Sequence, residues 1–193
     1  MKPAVFLDRD GTICEEMGYI HSPSQLKLLP HASEAIKLLN TLGNPVVLVT
    51  NQSAIARGLL TENTLAEIHQ KMGKDLEAGG AWIDKIYYCP HHPEFGSPPY
   101  RKDCDCRKPK TGMIEQAQRE LDLDLSRSFM IGDKSSDIEF GKNGRLQTIL
   151  VLTGYGQEEY DQQRHLWKFD PDFFADDILK AARLIQRLIR TSQ

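Results

Sequence analysis

Short apolar runs alternate along this chain with stripes of helical period. Residues 4–7, Ala-Val-Phe-Leu, form an unbroken apolar run that predicts a buried strand. Between 31 and 42 the apolar positions fall at 32, 35, 36, 39 and 42, a helical stripe stopped by Gly43. Residues 45–50 predict a second strand. Thr61 is an N-cap candidate for a helix reaching about residue 78, with Leu65, Ile68, Met72 and Leu76 on one face. Beyond it the pattern predicts a strand over 83–88, a helix over 112–121 and a strand over 128–131. A short helix over 136–142 and a strand over 148–152 follow. The last segment, 176–190, is amphipathic through Ile178, Leu179, Ala182, Leu184, Ile185 and Leu188, and is expected to pack on the sheet of its own chain. Such alternation predicts an α/β fold with a mostly parallel central sheet and right-handed crossovers. Residues 89–110 break the pattern, being rich in proline, charge and cysteine. A loop that long inside a compact domain is usually functional or held by a ligand.

The chain has 193 residues, enough for one well-cored domain and short for two, so residues 1–193 are read as a single domain. A formal net charge of -3 offers no broad attraction to nucleic acid, so a DNA or RNA partner is disfavoured. The longest apolar run, Val46-Val47-Leu48-Val49, is far too short to span a membrane, and nothing resembles a signal peptide. The expectation is a cytoplasmic protein with no membrane or nucleic-acid partner. Three of the four cysteines fall within residues 89–106, and in a reducing compartment such clustering favours a metal over disulfides.

The chemistry begins where the first strand ends, in Asp8-Arg9-Asp10-Gly11-Thr12. Open α/β sheets bind ligands at the carboxyl ends of their strands. Two carboxylates one residue apart repel, so one holds a proton or a cation sits between them. A divalent cation beside a nucleophilic carboxylate is a phosphoryl-transfer arrangement. The second strand ends in Thr50-Asn51-Gln52-Ser53, a hydroxyl and amides suited to anionic oxygens, though Ser53 can equally cap a helix. The strand at 128–131 ends in Gly132-Asp133-Lys134-Ser135-Ser136-Asp137, where Asp133 is a hard oxygen ligand for Mg²⁺ and Lys134 adds positive charge. Ser136 or Asp137 can cap the following helix. Three strand ends thus present Asp8/Asp10, Thr50 and Asp133. In the irregular stretch, Cys89-x-His91 and Cys104-x-Cys106 supply three thiolates and an imidazole, matching a closed structural zinc site; His92 remains open as a substitute for His91. Cys14 is expected to be a packed thiol. Arg107-Lys108-Pro109-Lys110 follows at once, a source of cations for a phosphate near Asp8.

In this order, Asp8-Arg9-Asp10-Gly11-Thr12, Thr50, Lys108 and Gly132-Asp133 resemble the four motifs of the haloacid dehalogenase superfamily of phosphatases. Within it, the segments from Thr50 to Gly58, from Tyr87 to Pro93 and from Cys104 to Pro109 are similar to those of the heptose bisphosphate phosphatases. The likeness runs from about residue 4 to Gly154. Histidinol-phosphatase domains carry such a loop with a shorter gap; the twelve residues between His91 and Cys104 favour the heptose branch.

The resemblance implies a Rossmann-like three-layer sandwich with a zinc-bound loop insertion at about 89–110 and no large cap domain. It implies a Mg²⁺-dependent phosphatase that removes the 7-phosphate of a heptose bisphosphate, a phosphorylated-sugar substrate, on the route to nucleotide-activated heptose and the lipopolysaccharide core. Asp8 becomes the nucleophile and Asp10 the proton shuttle. Thr50 and Lys108 hold the transferring oxygens. Mg²⁺ is held by Asp8, Asp10 through its backbone carbonyl, and Asp133, while Zn²⁺ takes Cys89, His91, Cys104 and Cys106. Substrate contacts are expected from Asp8, Arg9, Asp10, Glu16, Met17, Gly18, Tyr19, Thr50, Asn51, Gln52, Ser53, Arg107, Lys108 and Lys134. A monomer is expected. Two departures from the family pattern stand out: Glu16 in place of an aspartate, and Ala54 in place of a glycine. The competing readings are another small sugar-phosphate or histidinol-phosphate phosphatase, and an inactive zinc-stabilised binding protein.

Overall fold

In a computed structural model that describes residues 1–191, six strands form one all-parallel sheet in the order β3-β2-β1-β4-β5-β6. The elements run β1 (Val5–Leu7), α1 (Ala32–Thr41), β2 (Val46–Asn51), α2 (Glu62–Ala78), β3 (Lys85–Cys89), α3 (Gly112–Leu121), β4 (Phe129–Gly132), α4 (Ser135–Asn143) and β5 (Gln147–Val151). A short turn of helix, α5 (Gly156–Glu158), then β6 (Phe173–Ala175) and α6 (Ile178–Thr191) complete the chain. The mostly parallel sheet of the sequence reading is therefore parallel throughout.

Strand periodicity explains the layers. Val5, Leu7, Val46, Leu48, Phe129, Ile131, Ile149 and Val151 pack on one side with the apolar faces of α1, α2 and α6. Their neighbours Ala4, Phe6, Val47, Val49 and Met130 face the other way, toward Met113, Ile114 and Ala117 of α3 and Phe140 of α4. Both faces of the sheet are covered, as all-parallel sheets require. Cys14 is buried in the first of these cores, as expected of a packed thiol. α6 packs against α1 and the sheet through Ile178, Leu179, Ala181, Ala182 and Ile185. Thr61 caps α2 as predicted, its hydroxyl accepting from the Thr64 amide at 3.1 Å.

β3 differs from the sequence reading at both ends. β3 begins two residues later, at Lys85, because the Asp84 carboxylate turns to accept from the Val46 amide at 2.8 Å. It also runs through Cys89, which sets a metal-ligand candidate on a strand end. β6 was not predicted: three residues after Pro171-Asp172 carry no detectable period, and pairing with β5 alone defines them as a strand. Ser53 starts no helix; residues 53–58 form consecutive turns. Among the described residues, no helix is long and apolar enough to cross a membrane.

The chain fills β1, β2 and β3 in one direction, then crosses back to place β4 on the other side of β1. That reversal is a topological switch point, where the carboxyl ends of neighbouring strands open a crevice. β1 ends there, directly before Asp8.

Candidate active site

Asp8 leaves β1 with its amide still bonded to the Ile131 carbonyl at 3.0 Å, which fixes its side chain over the strand ends. From the loop after the cysteine cluster, Lys108 reaches into the same place. Its Nζ lies 2.8 Å from Asp8 Oδ1 and 2.7 Å from Asp137 Oδ1, and it donates to the Val49 carbonyl at 2.9 Å. All three side chains are buried. Burial alone would discharge Lys108, but Asp137 and Asp8 outweigh it and hold its pKa above the ordinary lysine value. The loop is brought there by Asn51 at the end of β2. Its Oδ1 accepts from the Lys108 amide at 3.0 Å and its Nδ2 donates to the Lys108 carbonyl at 3.1 Å. Asn51, expected to touch substrate, thus spends its amide on the loop while still lining the cavity.

Asp133 follows β4 and is fully buried. Its Oδ2 accepts from the Tyr155 amide at 2.9 Å; among the described residues, Oδ1 has no hydrogen-bond partner. Burial, then the neighbouring Asp137 and Asp8, push its carboxyl up to about 8. Asp8, Asp133 and Asp137 offer oxygens within 4.8 Å of one another. Three buried carboxylates around the buried Lys108, with Lys134 nearby and one Asp133 oxygen aimed at no donor, fit a hard divalent cation. The backbone makes the space: Gly11 has φ +77°, and a Cβ there would meet Asp133 Oδ2 at 2.1 Å.

Asp137 was read from sequence only as a possible helix cap. It does cap, accepting from the Lys134 amide at 3.2 Å, and its other oxygen pairs with Lys108. Its spacing of four from Asp133, one turn into α4, is the signal that could have marked it. Asp10 lies above this cluster in a separate network. Arg9 grips it in a fork, Nε to Oδ1 at 3.0 Å and Nη2 to Oδ2 at 2.9 Å. Gln52 donates to Asp10 Oδ2 at 3.1 Å and to Thr50 Oγ1 at 2.8 Å.

Asp8, Arg9, Asp10, Thr50, Gln52, Lys108 and Asp137 line a cavity of about 400 Å³, and Asp133 is not on its wall. Every substrate-contact candidate named from sequence lines it except Met17, which is half exposed and lies off the wall. Glu16 lines it paired with Lys134 at 3.0 Å, and Lys134 also lies over the Tyr155 ring. Tyr155 was absent from the sequence reading. Arg107 lines the wall, tied back to the His91 carbonyl at 3.2 Å. Lys110 does not join the other two cations; it pairs outside with Asp103 at 2.7 Å.

Cys89, His91, Cys104 and Cys106 converge beside this site. Neighbouring donors stand 3.7 Å (Cys89 Sγ to His91 Nδ1), 3.3 Å (Cys89 to Cys104), 3.0 Å (Cys104 to Cys106) and 3.4 Å (Cys106 to His91 Nδ1) apart. Such a compact Cys₃His cage is compatible with zinc, whose bonds to sulfur and nitrogen are about 2.0–2.3 Å long. Hydrogen bonding from Cys89, then from Cys104 and His91, pulls the Cys106 thiol down to about 5. The choice between histidines goes to His91: His92 faces away, its Nδ1 accepting from the amides of Glu94 at 3.1 Å and Phe95 at 3.2 Å.

Known proteins resemble this chain. A family model described as HAD-hydrolase-like matches residues 105–181. A Pasteurella multocida protein named D-glycero-beta-D-manno-heptose-1,7-bisphosphate 7-phosphatase is 47% identical over 155 residues, 80% of this chain and 84% of that protein. A Haemophilus influenzae protein of the same name is 39% identical over 192 residues, 97% of this chain and 99% of its own. The crystal structure of D,D-heptose 1,7-bisphosphate phosphatase from B. bronchiseptica, complexed with magnesium and phosphate, superposes with a TM-score of 0.85. It is 32% identical and covers 97% of this chain and 99% of its own. The strand-end carboxylates, the buried lysine and the Cys₃His loop thus sit in a chain that belongs to the D-glycero-D-manno-heptose-1,7-bisphosphate 7-phosphatase family of HAD-like hydrolases.

Proposed function

We propose that this single domain, residues 1–193, is a Mg²⁺-dependent phosphatase. It hydrolyses the 7-phosphate of D-glycero-D-manno-heptose 1,7-bisphosphate through an aspartyl phosphate, as a cytoplasmic step toward nucleotide-activated heptose. The observation that carries this reading is Asp8 held 2.8 Å from buried Lys108 in the wall of a cavity, within a cluster of three buried carboxylates. Asp8, Asp133 and the Asp10 carbonyl would hold Mg²⁺, with Asp137 beside them. When bound, that ion supplies the positive charge that lets a carboxylate approach a phosphate dianion. Zn²⁺ in the Cys₃His cage would be structural, since all four positions are filled by protein.

The side chains divide the work. An Asp8 oxygen attacks phosphorus, and the P–O bond to the sugar breaks with its electron pair on the leaving oxygen. That oxygen takes the proton of the Asp10 carboxyl. Asp10, now a carboxylate, takes a proton from water as the water oxygen attacks phosphorus, and the P–O bond to Asp8 breaks to return the nucleophile. Lys108 and the Thr50 hydroxyl hold the phosphoryl oxygens as charge moves onto them. Arg107 and Lys134 at the wall give the sugar's second phosphate its cations.

The test is phosphate release from the bisphosphate in Mg²⁺, with the β anomer first because that anomer stands in the names of the Pasteurella and Haemophilus relatives. Turnover should vanish in Asp8→Asn and on chelation, and should exceed turnover of histidinol phosphate. An Asp8→Asn variant with full turnover refutes the nucleophile.

A further inference from the structure

We propose that His69, in the middle of α2, is a positioning residue for the reaction: it anchors the Arg9 guanidinium and so fixes the orientation of the Asp10 carboxyl. The proposal rests on the reading of Asp10 as the proton shuttle.

Arg9 is almost fully buried, at 2% exposure, and each end of its guanidinium is accounted for. Nε and one terminal nitrogen form the fork on Asp10. That same Nη2 also donates to Gln52 Oε1 at 3.1 Å. The other terminal nitrogen, Nη1, lies 3.3 Å from His69 Nε2. A guanidinium has five N–H donors and no acceptor, so His69 meets it with a lone pair on Nε2 and keeps its proton on Nδ1. Burial, then the guanidinium itself, lower His69 to about 3, so the ring stays a neutral acceptor through the neutral range.

The ring is in turn held. It packs edge-on to Tyr88 with centroids 6.2 Å apart. The Tyr88 hydroxyl donates to Glu62 Oε2 at 2.9 Å, and Tyr100 of the cysteine loop donates to Glu62 Oε1 at 2.8 Å. The first turn of α2 is thereby pinned to β3 and to the loop that carries Lys108. His69 is the contact through which this framework reaches Asp10.

A guanidinium fork matches the ionised carboxyl, which is the form Asp10 takes when it has given its proton to the leaving oxygen and the form that accepts one from water. Without the Nε2 acceptor, the Nη1 end of the guanidinium is released, and the Arg9–Asp10 fork is anchored by Gln52 on one side alone. Misplacement of a reacting group by about 1 Å costs on the order of 10² in rate. The cost falls on the two steps in which Asp10 moves a proton, and the first of them depends on the leaving group.

Leaving-group dependence tests this directly. The heptose bisphosphate expels an alkoxide, which needs Asp10's proton; p-nitrophenyl phosphate expels a phenolate, which does not. Asn at position 69 cannot reach Arg9, whereas Gln presents an amide oxygen near the Nε2 position. We expect His69→Asn to lower kcat/KM on the bisphosphate about 10- to 100-fold, within the usual range for proton-transfer catalysis. On p-nitrophenyl phosphate kcat/KM, which ends at formation of the aspartyl phosphate and so leaves out the later attack of water, should stay within about threefold of wild type, and His69→Gln should restore most of the loss on the bisphosphate. His69→Leu, which keeps apolar packing on Tyr88, repeats the comparison if Asn lowers stability. Equal losses on both esters mean a merely structural residue and overturn the proposal, as does a variant lacking the acceptor with unchanged kcat/KM on the bisphosphate. A wild-type enzyme that turns over neither ester refutes the phosphatase reading, and the proposal falls with it.

Discussion

Replacing Lys108 with methionine separates the two roles assigned to that side chain, because its charge is shared. Nζ sits 2.8 Å from Asp8 and 2.7 Å from Asp137, with all three groups out of water. Methionine keeps the volume and removes the charge. Removing one partner of a buried ion pair typically costs about 3–5 kcal/mol. Here two carboxylates are stranded, but each can take a proton to relieve part of that cost. Burial already raises the Asp137 pKa, which favours its taking one. A carboxyl whose folded pKa lies above its unfolded value stabilises most at low pH and loses that contribution as pH rises. The deficit of Lys108→Met in metal-free urea unfolding should therefore be larger near about pH 8 than near about pH 6. Added Mg²⁺ should narrow it by supplying a cation to the same oxygens. Catalysis suffers separately: losing a preorganised charge at the transferring phosphoryl group costs about 10²–10³ in kcat. The assays are urea melts at the two pH values and saturation kinetics of phosphate release. A variant with kcat within threefold of wild type would refute the catalytic role. A stability deficit independent of pH would refute the stranded-carboxylate argument.

Three further perturbations probe other parts of the site. Gly11→Ala would put a methyl at φ +77° and 2.1 Å from Asp133 Oδ2, so Asp133 must move. The Mg²⁺ concentration for half-maximal activity should rise at least about tenfold, roughly 1.4 kcal/mol, and an unchanged Mg²⁺ dependence would contradict the geometry. Cys104→Ser should release zinc, measured by metal analysis of the dialysed protein, and lower kcat/KM by about tenfold or more through Arg107 and Lys108, while Asp8 remains in place. Zinc loss with full kinetics would show that the cage does not position those cations. His69 has a folded pKa near 3 against 6.5 for the free side chain, so its contribution to stability is complete above 6.5 and is lost as pH falls toward 3. The slope is at most about 1.4 kcal/mol per pH unit, and His69→Gln should flatten it in denaturant melts; identical slopes would mean the ring is protonated at no cost.

Much of this architecture was legible in the sequence because local and global signals agree. The helix over 112–121 and the Thr61 cap are stated by period and by residue type alone, and the structure matches both. The strand-end residues Asp8, Thr50 and Asp133 could be named because each follows an apolar run long enough to be a strand and short enough to end there. β6 was illegible because three residues hold one and a half periods, and only β5 gives them their conformation. Asp137 was half legible: a carboxylate in the first turn of a helix reads as a cap, and nothing local shows that its second oxygen meets Lys108 from 29 residues earlier in the sequence. His69 was illegible for the same reason. A lone histidine at helical spacing is ordinary, and its partner Arg9 lies 60 residues away.

The placement of Lys108 shows how the cysteine loop and the sheet share control of the site. The lysine comes from outside the strand-helix frame, so its position depends on two ties. One is the Cys₃His cage, which ends two residues before it; the other is Asn51, which grips its amide and carbonyl. Asn51 is the last residue of β2, one position after Thr50, so the same strand end aims a hydroxyl and sets the height of the lysine. Arg107 lies between cage and lysine and faces the cavity wall. The buried trio of Asp8, Lys108 and Asp137 is thus set jointly by the sheet ends, Asn51 and the cage.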